Sequence, residues 1–138
     1  MNGILLVEDN QADALLIQEA LRQVSVPHEV ERVPDGEKAL QRLRGEGPRP
    51  GLVLLDLNLP RMDGRTVLAE LKADPDLRTI PVIVLTTSSA PADIAFAYEN
   101  HANSYVRKPL GLDALVEAAQ AIRDFWLRTA TPPAAAGL

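Results

Sequence analysis

Acidic side chains follow two of the apolar segments of this sequence, at the points where strands would end. Asp56 follows the apolar run at 52–55, and the pair Glu8-Asp9 follows a similar run at 4–7. The carboxyl ends of parallel strands are where open α/β sheets bind their ligands, so we expect these acids to share one crevice. A carboxylate in such a place can ligate a metal ion or attack phosphorus as a nucleophile.

Carboxylates that lie close together repel one another and raise one another's pKa unless a cation neutralises them. Magnesium is a hard cation that prefers oxygen ligands, so Mg²⁺ is the predicted cofactor. Its candidate ligands are Glu8, Asp9, Asp56 and a backbone carbonyl near Asn58. Thr86 lies at the end of the fourth strand pattern, and Lys108 follows the fifth. Both side chains would contact a phosphoryl oxygen. A nucleophile, a metal ion and two such donors are the groups that phosphoryl transfer requires.

Short apolar runs alternate along the chain with segments of helical periodicity. The predicted strands are 4–7, 30–33, 52–55, 82–85 and, more weakly, 105–106. Helices are predicted after Asn10 or Asp13, over 37–43, after Asp63-Gly64, from Pro91 to about 101, and through Leu112, Leu115, Ala119, Ile122 and Trp126. Strands that alternate with helices in this way predict an α/β fold with a parallel sheet covered on both faces. The pattern indicates one domain over 1–128 and a disordered tail over 129–138.

Composition narrows the class of protein. The 138 residues are 46% hydrophobic, carry a net charge of −5 and include no cysteine, which excludes disulfides, zinc–thiolate sites and thiol catalysis. The acidic balance argues against a nucleic-acid partner. No apolar run reaches the length of a membrane span, and no signal segment is recognisable, so we expect a cytoplasmic protein without a membrane partner.

Four segments of the sequence together resemble the response-regulator receiver domain, which is CheY-like. They are 6–10 (LVEDN), 54–64 (LLDLNLPRMDG), 84–88 (VLTTS) and 104–109 (SYVRKP). The resemblance spans residues 2–126 and implies a doubly wound (βα)5 fold with the flavodoxin-like strand order 2-1-3-4-5. It also implies signalling by phosphorylation in a two-component phosphorelay, with a histidine kinase as partner.

The resemblance assigns a role to each candidate site residue. Asp56 is the phosphoacceptor, and Asp9 is a direct magnesium ligand with Glu8 beside it. Asn58 contributes its backbone carbonyl to the metal, and Lys108 binds the phosphate. Thr86 and Tyr105 are the switch residues, and the Lys108–Pro109 bond is expected to be cis, a state that proline makes accessible.

Shorter phrases are similar to the stand-alone regulators that partner phytochrome-type histidine kinases in bacteria. These phrases are 8–13 (EDNQAD), 85–88 (LTTS), 101–105 (HANSY) and 125–127 (FWL). No DNA-binding or enzymatic unit is expected after Trp126, so output would pass through protein contacts. The protein would not be an enzyme beyond catalysing its own phosphotransfer and dephosphorylation.

A second hypothesis comes from a different class of protein, a magnesium-dependent phosphohydrolase with an aspartyl nucleophile, similar to haloacid dehalogenases. Such hydrolases usually carry a second acid two residues after the nucleophile, whereas this chain has Asn58. It also lacks an insertion large enough for a substrate lid, so the receiver interpretation is favoured.

Apolar residues outside the predicted core stripes suggest a homodimer through the fourth helix, fifth strand and fifth helix. On the fourth helix, Phe96 points away from the stripe formed by Ile94, Ala97, Tyr98 and His101. Near the end of the fifth helix, Phe125, Trp126 and Leu127 cannot all face inward. We therefore place Phe96, Phe125 and Leu127 on a predicted dimer surface.

Overall fold

The strands and helices alternate as the sequence pattern predicts. A computed structural model describes residues 3–26 and 28–131. The strands are β1 (Ile4–Val7), β2 (Val30–Val33), β3 (Leu52–Leu55), β4 (Val82–Thr86) and β5 (Ser104–Arg107). The helices are α1 (Gln11–Gln23), α2 (Gly36–Arg44), α3 (Gly64–Ala73), α4 (Pro91–Glu99) and α5 (Leu112–Ile122), followed by a π-helical segment, Arg123–Thr129.

The sheet has the order β2-β1-β3-β4-β5, and every neighbouring pair of strands is parallel. This confirms the predicted doubly wound fold and its flavodoxin-like order. The first half of the chain is wound outward from β1 to one edge, and the second half proceeds from β3 to the other edge. The carboxyl ends of β1 and β3 are therefore adjacent, at the point where the winding reverses, which is where such sheets bind ligands.

Apolar side chains cover both faces of the sheet, as the continuous apolar runs of the central strands predict. On one face, Leu5, Val7 and their neighbours pack against α2, α3 and α4. On the other face, Ile4, Leu6 and their neighbours pack against α1 and α5. The alternation of successive residues between the two faces fixes the direction of each strand-end side chain.

Side chains cap the N-termini of the three helices that follow β1, β2 and β3. Asn10 accepts a hydrogen bond from the Asp13 amide at the start of α1, Asp35 accepts from the Lys38 amide at the start of α2, and Asp63 accepts from the Arg65 amide at the start of α3. An acidic or amide side chain at this position satisfies an amide that the helix leaves free. The caps fix where α1, α2 and α3 begin, and with them the ends of the loops at the carboxyl edge of the sheet.

The predicted dimer surface differs from the structure in part. Phe125 is 54% exposed, as expected, and its ring meets Trp126 edge-on with centroids 5.2 Å apart. Leu127, however, packs against the core on the α1 and α5 face of its own domain. The change from α-helical to π-helical winding after Ile122 alters which residues face inward, and a regular helical projection does not include that change.

The α4 assignment is also partly wrong. Tyr98, predicted on the inner stripe, is 51% exposed, and Phe96, predicted to point away from that stripe, is half-buried. The Tyr98 hydroxyl accepts a hydrogen bond from the Tyr105 amide at 3.2 Å. Because β5 is an edge strand with unpaired amides, this contact draws Tyr98 over the sheet edge instead of into the core.

The predicted tail over 129–138 is only partly within the described residues. Thr129 ends the π-helical segment, and residues 132–138 lie outside the part that the structure describes. Within residues 3–26 and 28–131, no helix has the length and apolar character that crossing a bilayer requires.

Candidate functional site

The carboxyl edge of the sheet brings the predicted acids together. Glu8, Asp9 and Asp56 each offer a carboxylate oxygen, and these oxygens lie within 4.8 Å of one another. Glu8 and Asp56 are buried, whereas Asp9 is exposed at the mouth of the crevice. The parallel pairing of β1 with β3, in which Val7 is aligned with Leu55, explains this proximity, because the acids directly follow these two residues.

Lys108 brings the positive charge into the acid cluster from β5. Its Nζ donates to Glu8 Oε1 at 2.5 Å and to Asp56 Oδ2 at 3.4 Å. The Lys108 amide donates to the Thr86 carbonyl at 2.6 Å, which continues the β4–β5 ladder by one residue and aims the side chain along the crevice. The lysine therefore spans from the sheet edge to the central strands.

Burial and charge act in opposite directions on the Glu8–Lys108 pair. Burial raises the pKa of Glu8 above its ordinary value, because the effect of desolvation exceeds the lowering by Lys108, and the Asp56 charge adds to the rise. Burial alone would lower the pKa of Lys108, but the hydrogen bond to Glu8 and the charges of Asp56 and Asp13 together raise it. The cluster therefore holds more negative charge than one ammonium group offsets.

This donor set fits a hard divalent cation. Carboxylate oxygens from three residues converge within reach of one ion, and oxygen ligands are what Mg²⁺ and similar ions prefer. Burial and, to a smaller extent, the Asp56 charge raise the pKa of Glu8 against the lowering by Lys108, so its ionised form would be favoured by further positive charge. A divalent cation would supply that charge, so the residues present can bind such an ion.

Asp56 is oriented by its own loop. The Asn58 amide donates to Asp56 Oδ1 at 3.1 Å, while Lys108 contacts the other oxygen. The loop then returns to α3 through Gly64, whose amide donates to the Leu57 carbonyl at 3.0 Å. A Cβ on Gly64 would lie only 2.2 Å from the Asp56 carbonyl oxygen, so glycine allows the helix to begin directly against the loop that carries Asp56.

Thr86 and Tyr105 lie beside the acid cluster rather than within it. Thr86 is buried at the end of β4, and its Oγ1 accepts from Asn58 Nδ2 at the long distance of 3.5 Å. Tyr105 is half-buried, and its hydroxyl donates to the Ser88 carbonyl at 2.8 Å. Tyr105 thus holds the β4–α4 loop from the side opposite to the acids.

A profile of the response regulator receiver domain matches residues 4–120 of this sequence. The chain belongs to the response regulator receiver family. Receivers of this family take a phosphoryl group in two-component signalling and are not conventional enzymes. The predicted resemblance is therefore confirmed, and the phosphohydrolase alternative loses its basis.

Individual relatives of this receiver cover almost its whole length. Response regulator Rcp1 of Synechocystis sp. is 50% identical over 137 residues, which cover 96% of this chain and 93% of Rcp1. The crystal structure of Mn²⁺-bound Rcp1 superimposes with a TM-score of 0.88 at 48% identity and covers 97% of this chain and 100% of that one. The phosphorylated cyanobacterial phytochrome response regulator RcpA gives a TM-score of 0.89 at 51% identity, covering 96% of this chain and 99% of RcpA.

The expected cis bond before Pro109 is wrong. The described residues contain no cis peptide, so the Lys108–Pro109 bond of this receiver is trans. The trans form of a bond to proline is favoured by about 0.5–1 kcal/mol. The lysine reaches the acids in this geometry through its long side chain.

Two charged residues at the receiver site, Asp13 and Arg32, and a third between α3 and α4, Arg65, were missed from the sequence. Asp13, in the first turn of α1, places Oδ2 3.4 Å from Lys108 Nζ. Arg32, on β2, donates to the backbone carbonyls of Glu8 and Asp9. Arg65, at the start of α3, bonds to Asp93 on α4. A signal existed only for Asp13, an acidic residue in the first turn of a helix that begins shortly after the Glu8-Asp9 pair.

Proposed function

We propose that this receiver accepts a phosphoryl group on Asp56 from the phosphohistidine of a histidine kinase. The observation that carries the proposal is the position of the Asp56 carboxylate, which is 7% exposed, 3.4 Å from the Lys108 ammonium and part of the acid cluster with Glu8 and Asp9. A nucleophile held between a fixed cation and a cation-binding cluster matches the needs of phosphoryl transfer.

In the proposed reaction an Asp56 oxygen attacks phosphorus in line with the leaving imidazole nitrogen. The new P–O bond forms as the P–N bond breaks. The electron pair of the P–N bond leaves with the imidazole, which takes up a proton. Lys108 contacts the transferred group and offsets its charge. Glu8, Asp9, Asp56 and the Asn58 carbonyl would hold Mg²⁺, which supplies the remaining charge neutralisation.

The same geometry supports dephosphorylation of Asp56, which returns the protein to its unphosphorylated state. Water that attacks phosphorus breaks the P–O bond to Asp56 and releases inorganic phosphate, which restores the carboxylate. The protein would thus catalyse only its own phosphorylation and dephosphorylation. Asn58, two residues after the nucleophile, has no carboxylate with which to act as a general base for rapid turnover.

Mass spectrometry of the protein treated with acetyl phosphate tests the chemistry. One added phosphoryl group should appear with Mg²⁺ and should vanish with EDTA or in Asp56→Asn. Asp76→Asn, an exposed acid at the opposite edge of the sheet, is the matched control and should label normally. Asp9→Ala should weaken Mg²⁺ binding more than Glu8→Gln. Labelling that persists in Asp56→Asn would rule out the assignment.

A phytochrome-type histidine kinase in the cytoplasm is the proposed partner. Support comes from the similarity to RcpA, which is described as a phytochrome response regulator, and to Rcp1. Phosphotransfer from a panel of purified histidine kinases should be fastest from a light-sensing kinase and should change with illumination. Transfer that is equally fast from unrelated kinases, or independent of light, would contradict the partner.

We propose that Thr86 and Tyr105 transmit the effect of phosphorylation at Asp56 to the surface of the protein. The contact of the Thr86 hydroxyl with Asn58 Nδ2 is long, at 3.5 Å, so a phosphoryl oxygen on Asp56 can draw the hydroxyl inward. Tyr105 would repack with the β4–α4 loop that it holds through Ser88. A small contact of this kind can bias a packed two-state element.

Partner binding by Thr86→Ala tests this switch. The variant should label within about twofold of wild type, because the hydroxyl is not the nucleophile, but phosphorylation should no longer change its affinity for the partner. Thr79→Ala, an exposed threonine in the loop before β4, is the control and should respond normally. Equal partner affinity for the phosphorylated and unphosphorylated wild type would contradict the mechanism.

We also propose a homodimer through α4, β5 and α5. The exposed rings of Phe125 and Tyr98 support it, whereas Leu127 contacts its own core and contributes little. Two-fold symmetric contacts are the commonest assembly. Sedimentation at micromolar concentration should show a wild-type dimer and a monomeric Phe96→Glu, Phe125→Glu double variant. A wild type that remains monomeric with and without phosphorylation would exclude the dimer.

A further inference from the structure

Arg32 holds the loop that carries two of the acids. Its Nε donates to the Glu8 carbonyl at 3.0 Å, and its Nη2 donates to the Asp9 carbonyl at 3.0 Å. We propose that Arg32 is a positioning residue of the divalent-cation site, acting through the backbone of its acidic ligands. This inference rests on the proposed function, because it assumes that Glu8 and Asp9 bind the cation.

The fold places Arg32 where it can reach this loop. Its Cα is aligned with that of Leu6 on β1, two residues before Glu8. Arg32 lies on the same face of the sheet as Val30, which packs against the α1 and α5 core. The loop after β1 turns toward α1 on this face, so the guanidinium group lies beside its carbonyl oxygens.

The geometry of the guanidinium group suits this role. Its planar fork presents N–H groups in a fixed arrangement, and here two of them bind consecutive carbonyls. Fixing two neighbouring peptide planes fixes the directions in which the Glu8 and Asp9 side chains leave the backbone. The Asn10 amide, which donates to Glu8 Oε2 at 3.2 Å, holds the same loop from its other end.

A positive charge beside a cation site could also weaken binding, so two effects oppose each other. Repulsion between Arg32 and the cation is reduced because Asp9 and the loop are exposed to solvent and salt. The hydrogen bonds, in contrast, act directly on the ligands before the cation arrives, and groups that orient metal ligands have large effects on affinity. We therefore expect orientation to exceed repulsion.

Two substitutions separate orientation from charge. Arg32→Lys keeps the charge but loses the fork, and Arg32→Gln loses both. Mg²⁺ affinity should be measured by calorimetry, and labelling by acetyl phosphate should be followed as Mg²⁺ is varied. Arg22→Lys is the matched control, since Arg22 is an exposed arginine on α1 whose side chain pairs with Glu19.

If Arg32 positions the ligands, Arg32→Gln should raise the Mg²⁺ dissociation constant by about tenfold, as for other residues that orient ligands. Arg32→Lys should raise it by about threefold, because an ammonium group reaches one carbonyl in place of two. In both variants the labelling rate at saturating Mg²⁺ should stay within about twofold of wild type. Urea unfolding in EDTA checks that both variants fold.

Two results would overturn the inference. An unchanged Mg²⁺ affinity in Arg32→Lys and Arg32→Gln would mean that the loop is held without Arg32, and tighter binding in Arg32→Gln would mean that repulsion dominates. Should Arg32→Gln fail to fold, Arg32→Lys alone decides the outcome. A wild type that neither binds Mg²⁺ nor labels would instead refute the proposed function, and the inference with it.

Discussion

Lys108 and Lys72 lie at opposite edges of the same sheet, and their surroundings differ in charge. Lys108 follows β5 at the carboxyl edge, where its neighbours are carboxylates. Lys72 extends from α3 to the amino edge, where its Nζ donates to the carbonyls of Arg78 and Ile80 and to Asn103 Oδ1. The two ammonium groups thus contact charged acceptors at one edge and neutral acceptors at the other.

The pKa values follow this difference. The carboxylates raise the pKa of Lys108 despite its burial, whereas burial lowers the pKa of Lys72 to about 8 because neutral oxygens replace only part of its lost hydration. Hydrogen bonds of similar length therefore have different electrostatic consequences. Formal charge is concentrated at the edge that we propose to bind a cation and a phosphoryl group. At the other edge, the lysine instead holds the chain segments before β4 and β5 through neutral oxygens.

The largest expected effect is the loss of Lys108. In EDTA, Lys108→Met should lower the free energy of unfolding by about 3 kcal/mol, because buried acids then lose their counter-charge. Adding Mg²⁺ should restore much of this loss, since the ion neutralises the same acids. Urea unfolding with and without Mg²⁺ measures both terms, and Lys38→Met, at an exposed lysine on α2, is the control. A loss that Mg²⁺ does not reduce would contradict the electrostatic explanation.

The contribution of Lys72 to the free energy of unfolding should depend on pH, because burial lowers the pKa of this lysine. Its folded-state pKa of about 8 lies below the ordinary value of 10.5, so between these values the unfolded chain binds the extra proton. The stability that wild type gains relative to Lys72→Met should therefore rise as the pH increases from 8 toward 10.5. At pH 7 the two proteins should differ by less than about 1 kcal/mol, because the partly exposed oxygens can bind water instead.

Unfolding free energies at several pH values, taken as wild type minus Lys72→Met, provide the measurement. Taking the difference cancels the contributions of the other lysines and of the tyrosines, which titrate in the same pH range in both proteins. A difference that does not change from pH 8 to pH 10 would mean that the three oxygen acceptors fully compensate for burial. The contrast between the two sheet edges would then be smaller than proposed.

The smallest expected effect concerns Asp13, which shares Lys108 with the acid cluster. Its side chain is 40% exposed, and it lies 3.4 Å from Nζ. An exposed ion pair of this kind contributes about 0–1 kcal/mol, so Asp13→Asn should speed labelling by acetyl phosphate by only about two- to threefold. The variant removes a negative charge that repels acetyl phosphate, and it releases Lys108 from one of its acidic partners. Asp113→Asn, in the first turn of α5, should label as wild type, and slower labelling of Asp13→Asn would show that Asp13 orients Lys108.

The strands and helix starts were predictable because their signals are local. Three of the predicted strands, 4–7, 30–33 and 52–55, have the bounds that the structure shows, and β4 and β5 are each extended at their ends. Asn10, Asp35 and Asp63 cap the helices that follow them, through contacts of two or three residues in sequence. Apolar periodicity and capping depend on neighbouring residues alone.

The acid cluster was predictable for a related reason. Once the strands are assigned as parallel neighbours, Glu8, Asp9 and Asp56 must lie at the same edge of the sheet. Lys108 is placed by the same topology, since it directly follows β5. The sequence by itself therefore determined which residues meet at the carboxyl edge, because strand direction and strand order are the only long-range information that this conclusion needs.

Only the tertiary structure decided how these residues are paired. Lys108 bonds to Glu8 across 100 residues of sequence, and Arg32 reaches the Glu8 carbonyl across 24. The inward packing of Leu127 and the outward position of Tyr98 likewise depend on a change of helix winding and on an open strand edge. Such choices depend on distances of a few tenths of an ångström between side chains from different elements, and the periodicity of a sequence contains no information on those distances.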